Sequence, residues 1–434
     1  MTAAVVADDR SDAAPDEEVQ SGGPEALSPV GLYVHVPFCV SVCPYCDFVV
    51  YAGPAARGPR SRLDAFVAAV CVEISLRADA LGARFGVPGA ETRPKLASVY
   101  LGGGTPSLLP ASDVARLLEA IDARFGIAPG AEITLEANPG SDERGDVAGF
   151  VAAGVTRLSI GAQSLRPSLL RTLGRRHTPD DVAATVAAAR QSGVGSVSID
   201  LLYDVPGQTL DDWMTTLEAA IVLEPDHLSL YALTLDDPDA EGLTGPFGDH
   251  LPVRAGARWW RTNAATAQDE DRAAAQYHHA VHRLADAGFG SYEISNWARP
   301  GHESRHNRAY WERRPVEAVG PGAHGFDGVA RRWNAATLDG YLAALLPDAD
   351  APRLPPGGSE VVAEDDAAAE RAILGLRLAE GVPLATAFER PLGAILDWAI
   401  ALELLELHAA SDGPRVRLTT RGRLLSNEVF ARLV

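Results

Sequence analysis

A chain of 434 residues is long enough for two or three domains, since one domain takes roughly 100–200 residues and an α/β barrel about 250. Hydrophobic residues make up 47% and charged residues 22%, a globular composition that excludes a fibrous or wholly disordered chain. With 38 Lys and Arg against 58 Asp and Glu, the formal net charge of −20 disfavours nucleic acid or an anionic lipid surface as the main partner. Lys95, the only lysine, sits in no Schiff-base or phosphate-loop motif.

Residues 1–29 are rich in Asp and Glu and lack the basic and apolar segments of a signal peptide, so they are expected to be a disordered acidic tail. From residue 31 onward, short β-rich runs alternate with amphipathic stretches, the pattern of βα units on a parallel sheet. Strands are expected at 31–37, 97–101, 132–136, 157–160, 196–202, 227–232 and 289–294. Helices are expected at 62–85, 112–125, 142–153, 179–192, 209–223 and 254–287. A Pro-, Gly- and Asp-rich stretch at 346–359 reads as a linker. Beyond it, helices at 364–379, 383–388 and 392–405, a hairpin of 405–408 with 415–419, and a closing helix give the order of a small winged-helix-like domain. No stretch reaches the roughly 18 apolar residues of a membrane span, so no stable membrane insertion and a cytoplasmic location are expected.

Three of the four cysteines crowd into eight residues, Cys39-Val-Ser-Val-Cys43-Pro-Tyr-Cys46, in a loop just after the first strand. Three thiolates on one loop can bind three irons of a [4Fe–4S] cubane and leave the fourth iron open to a substrate. A zinc site completed by His35, or a redox pair, is the alternative at this point. Cys71, inside an apolar helical stretch, reads as a packed residue. Polar groups and glycines follow the other strands: Gly102-Gly103-Gly104-Thr105-Pro106, Leu135-Glu136-Ala137-Asn138-Pro139, Gln163 and Asp200. Side chains at strand C-terminal ends are where a (β/α) barrel presents its chemistry.

The cysteine spacing followed by the glycine run resembles the radical S-adenosylmethionine (SAM) superfamily. Tyr33-Val-His-Val-Pro-Phe-Cys39, Leu135-Glu136-Ala137-Asn138-Pro139, Ser159-Ile-Gly-Ala-Gln163-Ser164 and Ile199-Asp200-Leu-Leu-Tyr-Asp-Val-Pro206-Gly207-Gln208-Thr209 resemble its coproporphyrinogen-dehydrogenase-like branch. The resemblance implies an α/β fold: a partial (β/α)6 TIM-like barrel over 30–300, a connecting segment at 301–359 and a winged-helix-like domain at 360–434. It implies Cys39, Cys43 and Cys46 as cluster ligands, and Tyr33, Tyr45, Gly103, Gly104, Thr105, Glu136, Gln163, Arg175 and Asp200 as SAM contacts. Asp204 departs from the branch, which often has glycine there.

Within the branch stand oxygen-independent coproporphyrinogen III oxidases, which decarboxylate propionates by radical chemistry, and heme chaperones. The oxidases have a further cysteine where this chain has Phe48, and an ordered N-terminal extension in place of the tail. The segment His306-Asn307-Arg308-Ala309-Tyr310-Trp311 resembles the H-N-x-x-Y-W motif of the chaperones. The resemblance therefore implies heme as cargo and a heme-accepting protein as partner, with His306, Asn307, Tyr310 and Trp311 as candidate heme contacts. His35 and His324 are rival iron ligands, and His306 with its aromatics can equally be packing groups. A radical SAM enzyme modifying RNA is a third reading, weakened by the acidic charge and the lack of a basic stripe.

Overall fold

The computed structural model describes residues 26–235, 237–348 and 350–434. β1 (Gly31–Val36) leads into the cysteine loop, which is bracketed by two short paired strands, β2 (Phe38–Cys39) and β3 (Tyr51–Ala52). Five further strands continue from β1 in parallel: β4 (Leu96–Gly103), β5 (Ile127–Ala137), β6 (Arg157–Gln163), β7 (Ser196–Tyr203) and β8 (His227–Ala232). The crossovers carry α1 (Leu63–Phe85), α2 (Ala111–Phe125), α3 (Val147–Ala153), α4 (Pro167–Thr172) with α5 (Pro179–Ser192), and α6 (Leu210–Val222). This is the expected (β/α)6 arrangement, left open as one sheet.

Helix boundaries follow local chemistry. Thr178 and Asp181 form a reciprocal capping box at α5 with Pro179 in its first turn, and Gly193 ends it in the left-handed region; Thr209 and Asp212 cap α6 in the same way. The expected helix over 254–287 is two, α7 (Ala255–Ala265) and α8 (Glu270–Asp286), because Asp269 accepts from the Arg272 amide and starts a new helix there. The expected strand over 289–294 is only β9 (Gly290–Ser291). Buried Glu293 accepts from the Ser295 amide and the Asn296 side chain, turning the chain into β10 (Asn296–Ala298), which pairs antiparallel with β8 and β9.

After α9 (Arg305–Trp311) the chain crosses to the opposite sheet edge. There β11 (Val316–Val319) pairs in parallel with β1, and β12 (His324–Phe326), β13 (Ala330–Asn334) and β14 (Gly357–Val361) add antiparallel strands. Residues 301–359, expected as a connecting segment, thus supply four strands of the twelve-stranded sheet, and the end of the expected 346–359 linker belongs to β14. Residues 26–29, expected within the acidic tail, are packed onto the sheet. Ala26, Ser28 and Pro29 are buried and the Leu27 amide donates to the Asp327 carbonyl, whereas residues 1–25 lie outside the described residues. Beyond α10 (Leu338–Leu345) and α11 (Glu364–Arg377), the C-terminal unit holds a three-stranded sheet, β15 (Val382–Pro383), β16 (Leu405–Ala410) and β17 (Gly413–Leu418), over its own core of Leu376, Leu396, Leu405, Val416 and Val429.

The two faces of the main sheet differ in chemistry. Leu32, Val34, Val99, Leu101, Ile133, Leu135, Val197, Ile199, Leu228 and Leu230 pack with Phe66, Val70, Ile74, Leu117 and Ile121 of the helices in one core. At roughly 1.5–3 kcal/mol per buried side chain, this face supplies the main cohesion of the fold. Side chains alternate along a strand, so the other face carries Tyr33 and His35, Ser98 and Tyr100, Glu132, Thr134 and Glu136, Arg157 and Ser159, Ser198 and Asp200, His227 and Ser229. A parallel sheet covered by apolar layers on both faces reads as continuous hydrophobic runs; this alternation marks a concave face lined with hydrogen-bonding groups.

Candidate cofactor site at the barrel mouth

The cysteine loop leaves the C-terminal end of β1 and is held from two sides. On one side, the Gly104 amide donates to Val36 O and the Thr105 amide to Phe38 O. A Cβ at Gly104 would stand 2.7 Å from both of those carbonyls, and Gly103 has φ +105°, so the glycine run is what lets β4 pass this close to the loop. On the other side, buried Arg261 of α7 donates through Nε to Pro44 O and through Nη2 to Cys46 O, both at 3.0 Å, and pairs with Asp47 at 2.6 Å.

A chain of polar contacts links two of the thiols. Cys39 Sγ lies 3.1 Å from Thr105 Oγ1; Asn138 Nδ2 donates to that hydroxyl at 3.0 Å; Arg175 Nη2 donates to Asn138 Oδ1 and to Gly161 O; and Arg175 Nη1 lies 3.7 Å from Cys43 Sγ. Burial pushes the Cys39 and Cys46 thiols up to about 12, so without a metal they keep their protons. Iron binding would displace those protons, as metal–thiolate bonding requires, and the Thr105 hydroxyl and the Arg175 guanidinium are donors suited to the resulting sulfurs. The donor set fits a cluster. His35 does not complete a zinc site: its Nε2 faces Val49 O at 2.9 Å and so carries the hydrogen, while its Nδ1 accepts from the Tyr33 hydroxyl at 3.0 Å.

Beside the cysteines, Glu136 accepts from the Tyr100 hydroxyl at 2.8 Å and the Gly103 amide at 3.0 Å. Burial raises its pKa to about 7, against the pull of those two donors, and the nearby Asp200 charge adds to the rise. Asp200 accepts from Ser159 and Ser198, and burial raises its pKa as well. Gln163 ends β6 with φ +64°, and a Cβ at Gly161 would lie 3.1 Å from its Nε2 and 3.5 Å from Arg175 Nη2. Tyr45 packs against Trp260, ring centroids 6.3 Å apart, over a small apolar cluster with Leu169 and Leu173. Gly103, Gly104, Thr105, Glu136, Gln163 and Arg175 are thus gathered around the cysteine loop, with Asp200 on the inner face beside Glu136. Tyr33 faces His35 and Tyr100. Asp204 takes φ +55°, the conformation in which glycine is expected, and pairs with Arg272 away from these groups.

The 306–311 segment lies at the other end of the sheet. His306 Nδ1 is 2.9 Å from Ser98 Oγ and its Nε2 is 3.1 Å from the Tyr310 hydroxyl; a Cβ at Gly31, the first residue of β1, would be 3.2 Å from that Nδ1. The cysteine loop begins past the last residue of the same strand, five rises of roughly 3.3 Å further on. Glu132 accepts from the His306 and Arg305 amides and fixes the start of α9 beneath the sheet. With both ring nitrogens hydrogen-bonded inside the core, His306 offers iron no free lone pair in this conformation. Trp311 lies under Arg377 of α11, 4.2 Å from its ring centroid, and joins the barrel to the C-terminal unit; the Asn307 amide donates to Ser304 Oγ.

The sequence model of the Radical SAM superfamily matches residues 33–220. A protein from Mycobacterium tuberculosis named "Heme chaperone HemW" is 39% identical over 419 residues, 96% of this chain and 98% of its own length. The chain belongs to the HemW family. Its Escherichia coli namesake is 34% identical over 299 residues, covering 69% of this chain and 70% of that one. The solved structure of the E. coli coproporphyrinogen III oxidase HemN, itself described as a radical SAM enzyme, superposes with a TM-score of 0.73 at 21% identity over 94% of this chain and 90% of that one, which shows a shared fold.

Membership of the HemW family, within the radical SAM superfamily, implies a [4Fe–4S] cluster and SAM. Two supports of that site in this HemW-family chain escape a motif reading: Arg261, contributed from α7 more than 200 residues after the loop it clamps, and Tyr100; Asn138 lies inside the Leu135–Pro139 motif, which does not show that it bridges Thr105 and Arg175. Arg261 carries no local signal. Tyr100 could have been found from the alternation of polar residues along β4, where Ser98, Tyr100 and Gly102 share a face.

Proposed function

We propose that this chain is a heme chaperone, which binds heme and passes it to an acceptor protein, and that it holds a [4Fe–4S] cluster and SAM at the barrel mouth. The observation that carries the reading is the match over 98% of the length of a protein named as a heme chaperone. In this assignment Cys39, Cys43 and Cys46 would hold three irons of the cluster, and the fourth would be left for the methionine end of SAM. Glu136 and the glycine run face the amino group and Arg175 the carboxylate. Gln163 and Asp200 offer hydrogen-bond partners to the ribose, and Tyr45 gives the adenine a flat neighbour. When reduced, the cluster supplies an electron to bound SAM; the protein's part is to orient SAM and shield the site.

Phe48 supports the carrier reading over the oxidase reading, since it stands 61% exposed beside the last cluster cysteine where the oxidases have a further thiol. The four cysteines are free, which suits a reducing cytoplasm. Among the described residues no helix is long and apolar enough to cross a membrane. The test is an equilibrium titration of the anaerobically reconstituted protein with ferric heme. Saturable binding of one heme per chain is expected; absence of saturable binding would overturn the reading.

A further inference from the structure

The Asp249 carboxylate touches two imidazoles at once. His250 Nδ1 lies 2.9 Å from Asp249 Oδ1, and His324 Nε2 lies 2.9 Å from Asp249 Oδ2. A carboxylate only accepts, so each ring presents its N–H to Asp249. That leaves a lone pair on His250 Nε2 and another on His324 Nδ1. Neither atom has a hydrogen-bond partner among the described residues. A carboxylate that fixes the tautomer and aim of an imidazole is the usual support of a metal-ligating histidine, and here one carboxylate does so for two rings.

The pair is built into the rim and is not a chance surface contact. His324 follows Gly320, whose amide donates to the fully buried Glu73 of α1; Glu73 also accepts from Arg77, Asn334 and the Tyr341 hydroxyl. The Asp249 segment is tied to the sheet by Trp333 Nε1 donating to Phe247 O and the Ala336 amide donating to Gly248 O. The Trp333 ring stacks on His324 with centroids 6.1 Å apart. A Cβ at Gly322 would meet Val49 Cγ2 at 2.5 Å and Asp249 O at 3.0 Å, so the pair borders the end of the cysteine loop. Phe48 precedes Val49 and is 61% exposed; Phe247, two residues before Asp249, is 65% exposed. Oriented imidazoles on a rim whose flanking segments expose aromatic residues suit a flat apolar macrocycle with a central metal.

We propose that the His250–His324 pair, oriented by Asp249, supplies the axial ligand of bound heme, at the barrel mouth beside the cysteine loop. The assignment rests on the heme-chaperone reading and names its ligand site. It moves iron ligation away from His306, whose two nitrogens are satisfied at the far end of the sheet, and from His35, whose two nitrogens are satisfied by Val49 and Tyr33.

The experiment is a ferric-heme titration, read by absorption and electron paramagnetic resonance, of the cluster-loaded wild type, His250→Ala/His324→Ala, Asp249→Asn and His306→Phe. The double variant is expected to bind heme at least 10-fold more weakly and to lose the imidazole-ligated spectrum, which added imidazole restores. Asp249→Asn, which keeps both rings, should shift the spectrum and weaken binding to a lesser degree. His306→Phe should keep the wild-type spectrum. An unchanged spectrum in the double variant at full iron content, or loss confined to His306→Phe, would overturn this assignment and leave the chaperone reading standing; failure of the wild type to bind heme would remove both.

Discussion

Arg175 and Cys43 stand 3.7 Å apart, guanidinium to sulfur, and the same guanidinium reaches Cys39 through Asn138 and Thr105. Burial works against the Arg175 charge, but Tyr45 and Cys43 beside it outweigh that and hold its pKa above the ordinary value. A fixed cation and a hydroxyl therefore face two of the three thiols before any metal arrives. Both are positioned to stabilise sulfur that carries negative charge.

Serine at Cys39, Cys43 or Cys46 replaces a thiolate with a poor iron ligand and should abolish the cluster. Cys71, half-buried on α1, lies outside the loop, and Cys71→Ser should retain four irons. Iron and sulfide analysis after anaerobic reconstitution reads both outcomes, and a full four-iron content in Cys43→Ser would contradict the ligand assignment.

Thr105→Val removes the hydroxyl beside Cys39 and leaves the Asn138 amide without its acceptor. A stability loss of about 1–3 kcal/mol is expected from the unsatisfied group. Hydrogen bonds to sulfur favour the more negative, reduced cluster, so its potential should move to a more negative value. Redox titration of the loaded variant checks the sign; an unchanged potential would mean that Thr105 only shapes the loop.

The buried carboxyl of Glu136 costs stability where it is ionised. Its pKa rises from the ordinary carboxylate value to about 7 in the fold. Between those two values the native chain therefore holds more protons than the unfolded chain, and stability falls as pH rises through the window. Glu136→Gln removes that cost: its melting temperature without SAM should exceed that of the wild type at pH 8, with little difference near pH 4. The same change should weaken SAM at least 10-fold, the scale of losing a hydrogen bond to a charged group. Unchanged SAM affinity would refute the contact.

The buried histidines make the opposite contribution. Burial lowers His35 to about 4, His177 to about 4 and His306 to about 3. These rings are neutral in the fold but titrate near 6.5 when unfolded, so the stability they permit is present above about pH 6.5 and is lost as pH falls below it. Burial lowers His227 as well, so four such rings stand against the raised carboxyls of Glu136, Asp200 and Glu143, and denaturant midpoints should drop between pH 7.5 and pH 5. His306→Phe should flatten part of that drop. An equal drop in that variant would mean that His306 is not the buried neutral group seen here.

Much of this arrangement is legible in the sequence where one residue type has one local role. The apolar runs place the parallel strands, 227–232 and 179–192 match β8 and α5 at both ends, and the cysteine and glycine runs mark the mouth. What escapes is set by distant partners. Val316–Val319 is too short to declare its parallel pairing with β1, Glu293 turns a predicted strand through contacts made only in the fold, and Arg261 gains its meaning from a loop more than 200 residues earlier. His306 shows the same limit from the other side. Its motif is plain, yet its hydrogen bonds to Ser98 and Tyr310, which satisfy both ring nitrogens, exist only once β4 and α9 are packed together.

A heme carrier and an oxidase differ in what leaves the protein: heme in the first case, carbon dioxide from coproporphyrinogen III in the second. The most direct measurement incubates one anaerobically reconstituted preparation, with reductant and SAM, with coproporphyrinogen III and separately with heme and an apo-protein acceptor. Transfer of stoichiometric heme to the acceptor is expected, with no release of carbon dioxide from coproporphyrinogen III. Repeated decarboxylation of coproporphyrinogen III, with no transferable heme, would contradict the carrier reading.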